Sequence, residues 1–320
     1  MGKRGFSTTN VFFLDPKTCG IYKNGATRVK VDEHGKRTTV TDNELLDDVT
    51  AFIAGDRPPG MATIPVEHAI DGVLVPRYFD PRWDEPFNAL KASMGFDDMT
   101  IGALIDSGVL TVRGGHGSPG NDQRVGTVPY VKVSDIRNLR INVNPTNLIP
   151  PALARRFWRS DDDSGLRAWD VLTPNRASSN IGECAILLPG EDKIVLTKEV
   201  FVFRVTGGAG EGWDPFYLLW ALSLAAVRRQ WQRITLMQTN REDVGDRYRE
   251  IRLPIPMSSE WATTVSGSFR TYFTTIGTAK EVFRMSIEAD SFDYIASVFS
   301  SVGDPIPETP LESDINALEV

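Results

Sequence analysis

"DPFYLLWALSLAAVRRQWQRITLMQTNREDVGDRYREIRLPIP" occupies residues 214–256 and contains the clearest order of elements in the chain. Asp214 is a typical helix N-cap, and Pro215 follows it at the first helical position, so the pattern predicts a helix over 214–234. The predicted inward stripe of this helix is Phe216, Leu219, Trp220, Ser223, Val227 and Trp231. We expect Trp220 and Trp231 to be core residues rather than platforms for stacked bases.

A polar run follows this helix and precedes the extended, proline-punctuated stretch 251–256. The run consists of Gln238, Thr239, Asn240 and Arg241. Gln and Asn can pair bidentately with adenine, and Arg can pair with guanine, in the major groove of DNA. Apolar residues before and after the run would hold it in place, so the sequence predicts a loop that reads bases.

The segments before this helix alternate strand and helix signals. Residues 100–108 predict a short helix with Thr100 as its cap, and residues 125–136 alternate as a half-buried strand does. Residues 183–205 contain two β-rich runs around the turn 189–192, which predicts a hairpin. Together these elements indicate a mixed α/β (α+β) domain over residues 100–256.

Further loops in this domain are rich in side chains that form hydrogen bonds. Arg, Asn and Ser side chains bind base edges and phosphate oxygens, which makes the loops candidates for contact with DNA. The alternative is that each loop is polar only because it is exposed. The candidate residues are His116, Ser118, Arg124, Lys132, Arg137, Asn138, Arg176, Ser178, Ser179 and Asn180.

The two flanks of this domain differ from it. Residues 1–99 form an irregular N-terminal extension with one predicted helix over 39–55, capped by Thr41 or Asp42. Residues 257–303 predict a helical segment, and the acidic, proline-bearing residues 304–320 predict a disordered tail. The apolar stripe expected on one side of the N-terminal helix is Leu45, Leu46, Val49, Phe52 and Ile53.

Charge is distributed unevenly along the chain, whose formal net charge is −7. Residues 100–256 contain 20 Lys and Arg against 17 Asp and Glu, whereas the flanks contain 15 against 25. A mildly basic centre between acidic flanks fits a nucleic-acid surface on an otherwise acidic protein. The two cysteines lack companions at metal-ligand spacing, and no apolar run reaches the length of a membrane span, so a reducing cytoplasm is expected.

Catalytic patterns are weak in this sequence. Glu191-Asp192-Lys193 has the order of a metal-dependent nuclease motif, but it falls on a predicted turn, where a solvated turn is the simpler interpretation. The three histidines are not at ligand spacing, which argues against a zinc site. The cofactor and base-binding loops of an adenine methyltransferase are also missing. We therefore expect a non-catalytic protein without metal or cofactor of its own.

The order of segments resembles the specificity subunits of type I restriction–modification systems. Residues 110–141 resemble the opening of their target-recognition domain, residues 168–187 its next strand and small-polar loop, and residues 214–256 its helix, polar loop and closing strand. The resemblance covers about half of the chain, but only one recognition domain is present where that family has two. Residues 11–55 are similar to the segment that follows the catalytic domain in some N6-adenine DNA methyltransferases.

The resemblance implies a function and a set of partners. It implies that the chain recognises double-stranded DNA and directs a separate methyltransferase subunit, which binds S-adenosylmethionine. A restriction or translocase subunit would join this complex wherever cleavage accompanies methylation. Two alternatives stay open: an enzyme, either a nuclease or a divergent methyltransferase, and a protein-interaction scaffold. The resemblance also implies that residues 1–99 and the helical segment 257–303 dock the methyltransferase. The docking residues expected on that helical segment are Phe269, Phe273, Ile276 and Phe283.

Overall fold

The computed structural model describes residues 10–66, 74–158, 160, 163–176, 178–206, 211–235 and 244–289. The chain divides into two compact units, which are described separately below. The first unit runs to Gly95 and includes the segment that begins at Arg229, and the second contains Phe96–Arg228 and the later part of the chain. The sequence placed this division between residues 99 and 100. The predicted tail, 304–320, lies outside the described residues.

The first unit is built from short elements. Strands β1 and β4 pair antiparallel, with Asn10 opposite Pro65, and β2 and β3 form a hairpin. Stacked rings of Phe13 and Phe79, whose centroids are 4.8 Å apart, supply part of its core. Its elements are β1 (Asn10–Phe13), β2 (Val29–Val31), β3 (Arg37–Thr41), α1 (Glu44–Ala54), β4 (Ala62–Pro65), α2 (Pro76–Phe79) and α3 (Glu85–Met94).

The N-cap of helix α1 lies two residues after Thr41 and one residue after Asp42, the two caps that the sequence predicted. Asn43 is its N-cap, and the Asn43 Oδ1 accepts a hydrogen bond from the Leu46 backbone N–H at 3.2 Å. The predicted cap Asp42 is instead bound by the guanidinium of Arg28 at 2.8 Å. Gly55, in the left-handed conformation with φ of 91°, ends the helix as expected.

The apolar side of α1 faces outward, so the predicted inward stripe is wrong. Leu46 is 59% exposed and Ile53 is 79% exposed, whereas Asp48 on the opposite side is only 6% exposed. Burial, followed by the charge of Glu44, raises the pKa of the Asp48 carboxyl. The Arg82 guanidinium holds this side of the helix in place through Glu44, at 2.8 Å, and through the buried Asp80, at 2.9 Å.

The second unit is the mixed α/β domain that the sequence predicted. Its central sheet has the strand order β12-β11-β14-β6, with antiparallel neighbours, and a second sheet has the order β10-β7-β13. Its strands are β5 (Asp98–Thr100), β6 (Leu110–Gly114), β7 (Val128–Val131), β8 (Ile136–Arg137), β9 (Arg140–Ile141), β10 (Leu148–Ile149), β11 (Val171–Pro174), β12 (Ala185–Ile186), β13 (Val195–Leu196), β14 (Val200–Val205) and β15 (Arg252–Pro254).

The helices of this unit are short, except for the last. They are α4 (Ile101–Asp106), α5 (Pro151–Phe157), α6 (Pro215–Ser223), α7 (Ala225–Arg233), which continues into the first unit, and α8 (Ser259–Ala289). Thr100 caps α4 as predicted, because its Oγ1 accepts from the Ala103 N–H at 3.1 Å. Among the described residues, no helix is both long enough and apolar enough to cross a membrane.

The core of the second unit lies on the central sheet. All four residues of β11 are buried, and Leu172 packs with Val202 of β14 and Ala185 of β12 in one apolar cluster. A strand buried on both faces reads as a continuous apolar run rather than as an alternation. Because both faces of β11 are buried, its sequence Val-Leu-Thr-Pro does not show the alternation of apolar and polar residues that marks a half-buried strand.

The hairpin predicted around residues 189–192 does not form. Strand β12 pairs with β11, β13 pairs in parallel with β7, and β14 pairs with β11 and β6, so the two β-rich runs do not pair with each other. The turn itself is present, with Gly190 at φ of 78°. The local sequence specifies the turn, but pairing with β11 and β7 decides where each strand goes.

The long helix predicted over 214–234 is divided at Leu224, whose ψ of 128° ends α6 before α7 begins. Asp214 caps α6 as expected, and its Oδ1 accepts from the Phe216 N–H at 2.7 Å and from the Tyr217 N–H at 3.0 Å. Helix α6 is buried on all sides, so the predicted single stripe is too narrow. Trp220 and Trp231 are both buried, as predicted.

Helix α8 covers the core of its own unit. The Trp261 ring contacts those of Tyr217 and Trp220, with centroids 5.9 and 5.7 Å apart, and Arg270 forms an ion pair with Asp214 at 2.5 Å. Phe273 is only 1% exposed, which corrects the prediction that it docks a partner, because the chain itself covers its ring.

Candidate nucleic-acid interface

Two of the predicted DNA-contacting loops leave the central sheet at the same end. Strands β6 and β11 lie on either side of β14 and both run antiparallel to it, so they are parallel to each other. Gly114 at the end of β6 lies opposite Phe201, and Pro174 at the end of β11 lies opposite Val200. The chain segments that follow Gly114 and Pro174 therefore emerge side by side.

The loop after β7 joins them through Thr197. The Thr197 N–H donates to the Val131 carbonyl at 2.9 Å, and its Oγ1 lies 3.3 Å from the Oγ of Ser118. Gly115 approaches so closely that a Cβ there would lie 2.0 Å from the Thr197 carbonyl oxygen. Only glycine fits this position. Three candidate loops thus meet at one end of the sheet, and we name them the loop cluster (residues 115–124, 132–138, 175–176 and 178–180).

Asn180, which the sequence predicted to contact DNA, holds the loop cluster together. Its buried Nδ2 donates to the Val133 carbonyl at 3.1 Å and to the Ile136 carbonyl at 3.3 Å. The amide therefore ties the loop after β11 to the loop after β7. A buried amide engaged in this way has no N–H left to offer to a base edge.

His116, which the sequence also predicted to contact DNA, has a similar structural role. Its Nε2–H donates to the Ser164 carbonyl at 2.7 Å, and its Nδ1 accepts from the Leu196 N–H at 2.9 Å. Both ring nitrogens are used, and the bond from Leu196 requires the tautomer protonated at Nε2. The ring anchors the loop after β6 to β13.

Arg124 and Lys132 form the positive centre of the loop cluster. Both charged groups lie over the buried ring of Tyr130, the guanidinium carbon 5.2 Å and the ammonium 5.9 Å from its centroid. Burial, followed by the positive charge of Arg124, lowers the pKa of the Lys132 ammonium. Within the described part of the chain, neither side chain forms an ion pair with a carboxylate within 4 Å.

The other predicted contacts divide by exposure. Arg176 is half-buried and forms an ion pair with Glu199, which uses part of its guanidinium for the chain itself. Asn138 has a φ of 53°, a conformation that asparagine tolerates better than most residues. The candidates whose side chains are exposed in the loop cluster are Ser118, Arg137, Asn138, Ser178 and Ser179.

The predicted base-reading loop Gln238–Arg241 lies outside the described residues. The described chain resumes at Val244, whose N–H donates to the Asn175 carbonyl at 2.9 Å. Asn175 is the first residue after β11, so the chain that follows the predicted loop begins at the loop cluster.

The sequence did not single out Tyr130, Asn175 or Tyr248 as site residues. Tyr130 supports the two cations, whereas Asn175 and Tyr248 line a cleft next to the loop cluster. The available signal for Tyr130 was an aromatic residue in a buried strand, two positions before Lys132. No local pattern marks Asn175 or Tyr248, because they are 73 residues apart and meet only in the folded chain.

The candidate nuclease residues are engaged within the chain. The buried Glu191 carboxylate accepts from the Leu188 N–H at 3.1 Å and pairs with Lys280 of α8. The Lys193 ammonium lies 5.6 Å from the centroid of the Trp158 ring. Across the described ranges there is no group of three or more His, Cys, Asp or Glu side chains that could hold a metal ion.

No protein-family model matches the chain, and no curated protein is significantly similar to it in sequence. Among solved structures, the HsdS subunit from Thermoanaerobacter tengcongensis is 13% identical, with 64% of this chain and 42% of that chain covered and a TM-score of 0.34. The type I restriction–modification S subunit from M. genitalium is 8% identical, with 61% of this chain and 44% of that chain covered and a TM-score of 0.37. The type IIG restriction endonuclease BpuSI is 13% identical, with 73% of this chain and 36% of that chain covered and a TM-score of 0.40.

The matched region spans less than half the length of each of these structures. Specificity subunits of type I restriction–modification systems are thus among the solved structures to which this chain is similar, as the order of its segments predicted.

Proposed function

We propose that the chain is a sequence-specific DNA recognition subunit that directs a separate adenine-N6 methyltransferase to its target site. The observation that carries this proposal is the loop cluster, in which three polar loops meet beside Arg124 and Lys132. Neither cation forms an ion pair within 4 Å among the described residues, and two neighbouring cations of this kind suit adjacent phosphates of a duplex. Loops fixed by buried hydrogen bonds suit base reading, which requires rigid placement.

The side chains of the loop cluster divide into two kinds of contact. Arg124, Lys132 and the exposed Arg137 would bind phosphates, which sets affinity and orientation. The exposed Ser178 and Ser179 have short side chains with donor and acceptor capacity, and these would approach base edges. Arg176 would keep its ion pair with Glu199 and add positive charge beside these loops. The predicted reading loop Gln238–Arg241 would complete the readout.

The outward apolar side of α1 is the proposed docking surface for the methyltransferase. We define it by Leu46, Phe52 and Ile53 of α1 and by Phe12 of β1, whose ring centroid is 5.5 Å from that of Phe52. Contiguous exposed apolar side chains of this kind mark protein interfaces. S-adenosylmethionine would bind to the partner, and a restriction or translocase subunit would join wherever cleavage accompanies methylation. The complex would act in the cytoplasm.

Duplex binding and methyl transfer, measured with and without a methyltransferase subunit that lacks a recognition domain, test this proposal. We expect the chain alone to bind duplex DNA without methylating or cutting it, and the mixture to methylate one sequence. Replacing Leu46 and Ile53 with Glu should abolish association with the methyltransferase, whereas Asp47→Asn on the same helix should not. Methyl transfer or metal-dependent cleavage by the chain alone would indicate an enzyme. A chain that neither binds the duplex nor promotes its methylation would indicate a protein-interaction scaffold.

A further inference from the structure

A small cleft lies next to the loop cluster in the second unit. Its volume is about 350 Å³, near the lower end of the range of roughly 300–1,000 Å³ that is usual for small-molecule sites. It is therefore large enough for one ring system and small for an extended ligand. Its lining comes from β6, β14, the residue after β11 and the turn before β15: Val112, Arg113, Gly114, Asn175, Phe201, Gly245, Asp246 and Tyr248.

Asn175, which lines this cleft, has an acceptor without a donor. The residue is only 9% exposed, and its Oδ1 is buried and makes no hydrogen bond. The orientation of the amide is fixed, because its Nδ2 donates to the Lys198 carbonyl at 3.1 Å. Its backbone is also held, by Glu199 at 2.9 Å and by Val244 at 2.9 Å. Burial of an unpaired acceptor is unfavourable, so Oδ1 is placed to accept a hydrogen bond from a ligand.

The remaining walls of the cleft define the ligand further. Phe201 and Tyr248 supply an aromatic side, with ring centroids 4.4 Å apart, which suits a flat ring. The exposed Asp246 adds a second acceptor, so the ligand should carry N–H donors. Arg113 adds positive charge to the lining, which favours an electronegative edge or a phosphate on the ligand. A planar ring with amine donors and an acceptor or phosphate is the chemistry of a nucleobase or nucleotide.

We propose that this cleft binds a single nucleobase that bears an exocyclic amine, with the amine donating to the Asn175 Oδ1 and the ring lying against Phe201 and Tyr248. The base has two possible sources, a free nucleotide and a base extruded from duplex DNA. Extruded bases are read in this way, by hydrogen bonds to one edge and by contact with aromatic side chains. The duplex source rests on the proposed DNA-recognition function, whereas the free nucleotide does not.

Binding of dAMP, dCMP, dGMP and dTMP to the full chain, measured by saturation-transfer NMR and by competition, tests the cleft itself. We expect the three nucleotides with an exocyclic amine to bind about tenfold more tightly than dTMP, which lacks that donor. Asn175→Leu should remove this preference. Because Asn175 also holds its own loop, Asp246→Asn at an exposed position provides a second variant and should weaken binding severalfold. Glu260→Gln, an exposed acid that does not line the cleft, should change nothing.

A duplex with 2-aminopurine at successive positions tests the second source. We expect fluorescence to rise at one position when the chain binds, and Asp246→Asn to reduce that rise. Duplex binding without any nucleotide binding or fluorescence change would overturn the cleft assignment while leaving the proposed DNA-recognition function intact. Nucleotide binding without duplex binding would support the cleft and contradict that function. Equal binding of all four nucleotides would overturn the assignment of Asn175 as the amine acceptor.

Discussion

At the scale of single residues, Arg124 and Lys132 provide the most direct electrostatic test. Each proposed phosphate contact releases counterions, and the logarithm of affinity falls with the logarithm of salt by about 0.9 per contact. We expect Arg124→Gln and Lys132→Gln each to weaken duplex binding and to reduce the salt slope by about 1. Lys30→Gln, an exposed position on the β2–β3 hairpin, is the matched control. Unchanged slopes in both variants would place the DNA elsewhere.

Lys132 should also make binding sensitive to alkaline pH. Burial and the charge of Arg124 lower its pKa from the ordinary 10.5, and a bound phosphate would raise that pKa again. DNA binding should therefore take up a proton, and affinity should fall as pH rises through the lowered pKa. Lys132→Arg keeps its charge across this range and should flatten the profile. Dissociation constants measured from about pH 7 upward would show this, and identical profiles would contradict it.

Asn180 and Ser179 are neighbours with opposite expected effects. Asn180→Ala would leave two backbone carbonyls without their donor, at a cost of about 1–3 kcal/mol in the free energy of unfolding. Ser179→Ala changes an exposed side chain and should alter stability by less than about 0.5 kcal/mol. Denaturant unfolding would separate the two. A similar loss for both variants would show that the Asn180 bonds do not hold the loop cluster.

The sequence could not distinguish anchoring from exposed polar residues. His116, Asn180 and Ser118 all fall in glycine- or serine-rich loops, which are typical of turns and of DNA contacts alike. His116 binds Ser164 and Leu196, which are 48 and 80 residues away, and Asn180 binds Val133 and Ile136. Partners at such separations are set by the sheet topology, so local composition predicts the place of the loop cluster and not the role of each member.

At the scale of elements, α8 carries both a buried and an exposed residue among those predicted to dock a partner. Phe273 is 1% exposed and Phe283 is 52% exposed, so the same substitution should act differently at the two positions. Phe273→Asp should destabilise the unit by ~3 kcal/mol or more, because it removes buried apolar surface and buries a charge. Phe283→Asp should leave thermal unfolding unchanged. Equal stability of the two variants would mean that α8 does not complete the core.

Helices α6 and α8 show what sequence periodicity can predict and what it cannot. The sequence predicted a helical segment after residue 257 and a cap at Asp214, because both depend on neighbouring residues. It also predicted one helix over 214–234 and a hairpin over 183–205, and both predictions were wrong. Apolar residues surround α6, so no stripe could reveal the division at Leu224. Pairing of β12 with β11 and of β13 with β7 is long-range and therefore has no local signature.

At the scale of the whole molecule, charge and exposure assign different tasks to the two units. The loop cluster of the second unit carries cations and hydrogen-bonding side chains, which we propose to bind DNA. The first unit exposes the apolar side of α1 and buries Asp48, which is the reverse of an ordinary surface helix. We infer that the second unit selects the DNA sequence and that the first recruits the catalytic partner.

Selection of bound duplexes from a randomised library by the reconstituted complex tests the central claim most directly. We expect one enriched sequence for the parent chain. Substitution of Ser178, Ser179, Asn240 or Arg241 with Ala should relax the preference at individual base positions by about 1–3 kcal/mol. Arg124→Gln should lower the recovered amount without changing the sequence. A library that stays unenriched, or an identical preference in every one of these loop variants, would contradict sequence recognition by this chain.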